Sequence, residues 1–502
     1  MQKNIKNQNL SKVAIKGSAY NLLSLLILKF GGLIFTIIIA RLLLPELFGV
    51  YALVLSIATV ILTFAELGID NTFLRYLSDS VGKKNKKLSR GYFKYIFRIK
   101  CFLILFSVIF LLIISKYLSY SIYKNPLLFY PLIFSCLFIV SDSLRSFFGT
   151  LFVARKDFKS IVFFDVSFQI LKIVFSVFAI LIFTDLLKIS GIFLAFFVSS
   201  FFTLILIFFV LLKKDKSLLI GKTIKIDKSK INSYWKFMVF ASLSLAFFGS
   251  IDILMLGKFV SPEYIGYYKV AMSLVLALAS VLSLSWAFFP IFTQIKGIRF
   301  QRGFNKILRY ILIISIPATV GIIFIAKYLI KAIYGDSYIF AAYSIYFLSL
   351  LIITTPLIGL YSIIFEAKER PQIVSKSVLL TLIINILLNI LAIYLFKDRP
   401  LFIIAGVSLA TSLSRFILLG LLVFYAKKEF NFKVKGIGLR SPIFATIIMS
   451  IFLLAFNRFV NMNIFFGAIE IILGIIIYFG TLIIAKGINR EDFELIKNLR
   501  RG

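Results

Sequence analysis

The 502-residue chain contains no histidine, only two cysteines and two tryptophans, and 21 acidic residues against 57 lysines and arginines. Without histidine, His-based triads, zinc-peptidase motifs and the usual near-neutral proton carrier are excluded. Cys101 and Cys136 both fall inside apolar segments, so neither a disulfide framework nor a zinc site is supported. No loop exceeds about twenty residues, which leaves no room for a soluble catalytic domain. The scarcity of acid produces a net charge of +36. In a soluble protein such an excess suggests nucleic acid. Here the cations lie in short clusters between apolar runs and form no continuous basic surface. The stretch IGKTIK (220–225) ends like a phosphate-binding loop, but Lys216 stands where that motif needs its earlier glycine and no strand precedes it, so it reads as a basic loop.

What the chain does have is apolar side chain. Hydrophobic residues make up 61% and mean hydropathy is +1.01, more than a soluble core can hide. A helix rising 1.5 Å per residue needs about 20 mainly apolar residues to cross the hydrocarbon layer with its backbone bonded internally. Fourteen such runs centre near residues 29, 58, 105, 138, 172, 201, 246, 278, 317, 352, 384, 413, 450 and 474. The first, 18–40, is too long for a signal-peptide core and lacks a small-residue cleavage site, so it is expected to remain as the first helix. The fourth and tenth runs carry Pro131 and Pro356, which membrane helices tolerate when neighbours satisfy the freed backbone. Of the 57 cations, about 40 fall on the side of the N-terminus and about 10 in the opposite loops, which by the positive-inside rule places both termini in the cytoplasm of a multi-pass cell-membrane protein. Attraction to anionic membrane lipids is a secondary effect of the same charge.

One short pattern occurs twice. ARLLLPELFGVYAL (40–53) joins the first and second runs, and GKFVSPEYIGYYKV (257–270) joins the seventh and eighth, with Pro, Glu, Gly and Tyr at identical offsets. Arg41 and Lys258 suit the negative end of a helix; Pro45 and Pro262 suit the first position of the next; Glu46 and Glu263 suit its positive end. Gly49 and Gly266 permit close packing on a neighbour. A tight structural corner is therefore favoured over substrate contact. The equivalent placement predicts two pseudo-symmetric six-helix lobes, 1–212 and 235–426, joined by a basic cytoplasmic linker at 213–234 and followed by a C-terminal helix pair and tail at 427–502. The fold class is all-α.

The stretch ARLLLPELFGVYALVLSIATVILTFAELGIDNTFLRYLS (40–78) resembles the opening signature of the polysaccharide-biosynthesis flippases, the Wzx-like branch of the multidrug/oligosaccharidyl-lipid/polysaccharide (MOP) exporter superfamily. The resemblance extends through DILMLGKFVSPEYIGYYKVAMSL (252–274) and WAFFPIFTQI (286–295). It implies transport of a lipid-linked oligosaccharide from the cytoplasmic to the outer leaflet, through a cavity between two lobes that open alternately, with glycan-assembly machinery as a candidate partner. The arginine-rich first helix of the superfamily's lipid II flippases is lacking.

Ionisable residues at membrane depth are costly and usually face a cavity or one another. Lys29, Arg145, Lys172 and Arg415 are candidates to hold the phosphate or pyrophosphate of such a substrate. Asp142 lies one turn from Arg145 and Asp165 two turns from Lys172, so structural ion pairs are the slightly favoured reading at those two positions. Arg75 and Lys269, near helix ends, can snorkel to the interface. Asp252 is the acidic candidate for a coupling ion or proton, or else an ion-pair partner for a lysine such as Lys29. No cofactor is expected; coupling, if present, uses protons, sodium or the membrane potential. The rival readings are a drug or cation antiporter of the same superfamily, which calls for an acidic cavity, and a membrane glycan polymerase or glycosyltransferase, which calls for a large external loop. A scramblase or channel stays open at this stage.

Overall fold

A computed structural model describes residues 2–214, 221–224, 226–283, 297–430, 438–460 and 463–487, and among these it is helical with no strand. WAFFPIFTQI (286–295) and residues 215–220 and 225 of the basic linker lie outside the described residues. All fourteen centres read from the sequence fall in helices. Twelve helices among the described residues are long and apolar enough to cross a membrane, thirteen if one bent pair counts as a single span. The first of these, Leu26–Gly82, itself contains a turn between two runs: within α1 (Gln2–Glu66), Leu44 leaves helical geometry at φ 60° and ψ 170°, and Pro45 restarts the helix.

The remaining helices begin and end where local chemistry dictates. Helix α2 (Ile69–Gly82) follows Gly68 at φ 68°. The side chains of Asn85, Asp157, Asp227 and Asn463 accept from the first-turn amides of α3 (Lys86–Tyr117), α5 (Phe158–Ile182), α7 (Lys228–Phe259) and, past the intervening helices, α15 (Ile464–Ile484). Prolines open α8 (Pro262–Leu282), α12 (Pro371–Leu395) and α13 (Pro400–Phe430), where a missing N–H costs nothing. In α4 (Phe129–Ala154), Pro131 sits in the first turn and leaves the helix intact. The tenth run is broken instead: α10 (Ala342–Leu348) and α11 (Leu351–Ala367) meet at a 48° bend upstream of Pro356. Helices α6 (Lys188–Lys214), α9 (Gly297–Tyr334) and α14 (Arg440–Phe459) complete the set.

The chain divides into two units, Met1–Gly266 and Tyr267–Gly502. In the first, α2, α3, α4 and α6 close around aromatic side chains, with Phe73 stacked on Phe147 at 4.6 Å between ring centroids. Helix α7 joins this unit at the α1–α2 break. Trp235 Nε1 donates to the Leu67 carbonyl at 2.9 Å, and Tyr76 Oη donates to the Lys230 carbonyl at 2.9 Å. A Cβ on Gly68 would lie 2.7 Å from that of Met238, so α7 needs a glycine there. In the second unit, Tyr478 of α15 donates to the Ile313 carbonyl of α9 at 2.6 Å, inside a cluster with Met449, Leu453 and Leu482. Outward faces are apolar: Phe102, Leu105, Phe106, Ile109 and Ile113 of α3 are all exposed, a surface suited to lipid and not to water.

Candidate functional site

The first unit holds a cluster of charged side chains on helices long and apolar enough to cross a membrane. Asp70, in the first turn of α2, accepts from Lys100 Nζ of α3 and from Ser146 Oγ of α4, both at 2.9 Å. Lys100 is fully buried, so this carboxylate is what makes its charge tolerable. Beside Ser146 on α4, Arg145 reaches back one turn to Asp142 through Nη2 at 2.7 Å and Nε at 2.8 Å, and its Nη1 lies 4.0 Å from Asp165 of α5. Ser24 of α1 donates to the other Asp165 oxygen. Glu66, at the end of α1, lies within electrostatic reach of Asp70, Lys100, Asp142 and Arg145.

Aromatic rings hold the remaining cationic surface. The Arg145 guanidinium lies 4.2 Å from the centroid of Phe168. Lys172 Nζ sits 4.6 Å from the Phe35 ring and 5.6 Å from those of Phe168 and Phe196. Among the described residues Lys172 makes no ion pair; Asp165 faces Arg145 and Ser24 instead. Its charge rests on ring faces and on the field of Asp142.

The structure thus brings two of the sequence-predicted cations, Arg145 and Lys172, into one cluster, the first paired with a carboxylate and the second not. Lys29 stands exposed on α1, next to Leu28, whose carbonyl accepts from Gln169 Nε2 of α5 at 3.1 Å. Among the described residues no ion pair is recorded for Lys29. Asp252 is buried on α7, and Arg415 is half-buried on α13 in the second unit; neither is free of partners. Sequence reasoning missed Glu66, Asp70 and Lys100. Glu66 and Asp70 are four apart, a visible signal, but Lys100 borders its apolar run and reads as a loop-end cation.

At one end of this unit the two copies of the repeated corner meet. A Cβ on Gly49 would lie 1.7 Å from the Pro262 carbonyl oxygen, and a Cβ on Gly266 would lie 2.4 Å from the Pro45 carbonyl oxygen. Each copy's glycine therefore receives the other copy's proline carbonyl, a reciprocal contact that only residues without a Cβ permit.

Three comparisons bear on identity. Over 249 residues the chain is 23% identical to Agl15 of Haloferax volcanii, a probable low-salt glycan biosynthesis flippase, covering 48% of this chain and 51% of the relative. The chain thus spans about half the length of that curated relative. The fold is similar to that of the lipid II flippase MurJ in an inward closed conformation, with TM-score 0.71, 17% identity and coverage of 92% of this chain and 97% of that one. It is similar also to an inward-facing multidrug resistance MATE family transporter of the MOP superfamily, with TM-score 0.61, 13% identity and coverage of 81% and 96%. These relatives are flippases and transporters, not enzymes. Residues 38–342, a stretch that takes in both corners and the charged cluster, match the family described as "Polysaccharide biosynthesis protein", and the chain belongs to that family.

Proposed function

We propose that the protein is a flippase that moves a lipid-linked oligosaccharide from the cytoplasmic to the outer leaflet by alternating access, with both termini in the cytoplasm. The observation that carries this reading is a family-typical transporter fold in which a lysine, Lys172, lies at membrane depth with no carboxylate bound to it. A lipid phosphate or pyrophosphate supplies the missing anion, with Lys29 and Arg145 of the same unit as further ligands; Arg415 is the substrate-binding candidate of the second unit. Arg145 exchanges Asp142 for substrate when it takes part. Asp252 is the site of a coupling proton or sodium ion; the membrane potential acting on the charged substrate is the alternative drive. Segments 1–212 and 235–426 act as the two lobes, and glycan-assembly machinery delivers or receives the substrate.

A second reading, export of a cationic drug, draws on the same cluster. Its carboxylates, Glu66, Asp70, Asp142 and Asp165, outnumber its cations, Lys100, Arg145 and Lys172. The lipid-glycan reading is favoured because three of those carboxylates are already committed to cations or hydroxyls.

The test is transport of fluorescent lipid-linked glycans in proteoliposomes, comparing Lys29→Ala, Arg415→Ala and Asp252→Asn with the parent protein. Flipping should fall while expression does not. Unchanged rates in all three variants reject this site assignment.

A further inference from the structure

A cavity of about 340 Å³ opens beside the paired corners, entirely within the first unit. Its walls come from the α3–α4 connection, through Tyr123, Lys124 and Asn125, and from the α7–α8 corner, through Lys258 and Ser261, with Leu53 of α1 behind. The walls are fixed by packing. Tyr123 Oη donates to the Leu254 carbonyl of α7 at 3.4 Å, and a Cβ on Gly257 would lie 2.7 Å from Leu53 Cδ1 and 2.9 Å from Tyr123 Cε1. Lys124 takes a left-handed backbone at φ 49° just past the helical turn Leu118–Ile122, and the Asn125 amide closes that end by donating to the Ser119 carbonyl at 2.8 Å.

The charge of this cavity is unusual for its side of the membrane. Only about 10 of the 57 cations belong to the loops opposite the N-terminus, yet two of them line this one space. Neither Lys124 nor Lys258 makes an ion pair among the described residues; Lys258 Nζ has only the Phe259 ring, 5.7 Å away. The acid nearest in sequence, Glu263, accepts from Ser261 Oγ at 2.7 Å. Two exposed lysines with no ion pair among the described residues line a cavity large enough for a small anionic group, an excess of positive charge that an anion balances.

We propose that this cavity binds a phosphate group, held between Lys124 and Lys258. The site goes beyond the transport reading and does not depend on it. Phosphate reaches it either as a soluble phosphate compound or as the headgroup of an anionic lipid, and the chemistry of recognition is the same.

The experiment is acetylation footprinting of the full-length protein in phosphatidylcholine nanodiscs, read by peptide mass spectrometry, with and without inorganic phosphate. Phosphate at twice its dissociation constant slows acetylation of Lys124 and Lys258 by about threefold, while Lys116 and Lys397 keep their rates. A parallel set in phosphatidylglycerol nanodiscs without added phosphate identifies the source. Protection there assigns a lipid headgroup; protection only by inorganic phosphate assigns a soluble group. In Lys258→Ala, an exposed substitution, protection of Lys124 is lost. If neither phosphate nor phosphatidylglycerol protects the two lysines more than the controls, or if Lys124 stays protected in Lys258→Ala, the proposal is overturned.

Discussion

Gly49 and Pro262 are 213 residues apart in sequence, yet the space a Gly49 Cβ would occupy is filled by the Pro262 carbonyl oxygen. Gly49→Ala therefore forces backbone apart, and a destabilisation of about 1–3 kcal/mol is expected, as for overpacked interiors. Gly266→Ala, at 2.4 Å from the Pro45 carbonyl, should be milder. Gly149→Ala on α4, with open space around it, should be neutral or slightly stabilising. Thermal unfolding in detergent ranks the three; equal midpoints for Gly49→Ala and Gly149→Ala would refute the close contact.

The pair formed by Lys100 and Asp70 should behave as a buried ion pair. Asp70→Asn leaves a buried ammonium uncompensated and is expected to cost about 3–5 kcal/mol. Lys100→Met combined with Asp70→Asn should recover most of that loss, because no charge is left buried without a partner. A double-mutant cycle on unfolding midpoints measures the coupling.

Lys172 separates structure from transport. Lys172→Met keeps an apolar chain over Phe35, Phe168 and Phe196 and should change stability by about 1 kcal/mol or less, the size of the cation–π contribution it loses. If the ammonium holds the substrate's phosphate, flipping should fall by about tenfold or more, the equivalent of one charge-assisted hydrogen bond. Transport rates at matched protein content, set beside unfolding midpoints, decide between the roles.

Asp157 links the start of α5 to the end of α6 through Lys214 and caps α5 through Ser160. Burial raises its carboxyl pKa, but the hydrogen bonds from Lys214 and Ser160 outweigh that and hold it below its ordinary value. A depressed folded pKa means that the group contributes stability above the unfolded value of about 3.9. That contribution disappears as pH falls through the lower folded pKa. Asp157→Asn, which keeps an N-cap oxygen, should unfold at a lower temperature than the parent near neutral pH, with the gap closing on acidification. Midpoints measured across that acid range test this.

Much of the architecture was legible because the bilayer imposes it: all fourteen apolar runs fall in helices, though α2 and α10 answer to no run of their own, and the proline–glutamate corner at 45 and 262 marked equivalent helix starts. The broken tenth run was flagged by Pro356 but its bend at residues 349 and 350 was not, since that depends on packing within the second unit. The Arg145–Asp142 pair was legible from one-turn spacing, whereas Arg145–Asp165 and Lys100–Asp70 join different helices and leave no periodic trace. The reciprocal fit of Gly49 and Gly266 was hidden for the same reason: the sequence shows that both corners are alike, and only folding brings them together.

Flipping of an anionic lipid-linked glycan is decided by leaflet-resolved quenching. Proteoliposomes carrying a fluorescent lipid-linked oligosaccharide are exposed to external dithionite, and ethidium efflux is followed in a matched set. Active protein should raise the quenched fraction from the share of one leaflet to nearly all of the glycolipid, with ethidium retained as in protein-free vesicles. A quenched fraction fixed at one leaflet's share, or ethidium export without glycolipid movement, would contradict it.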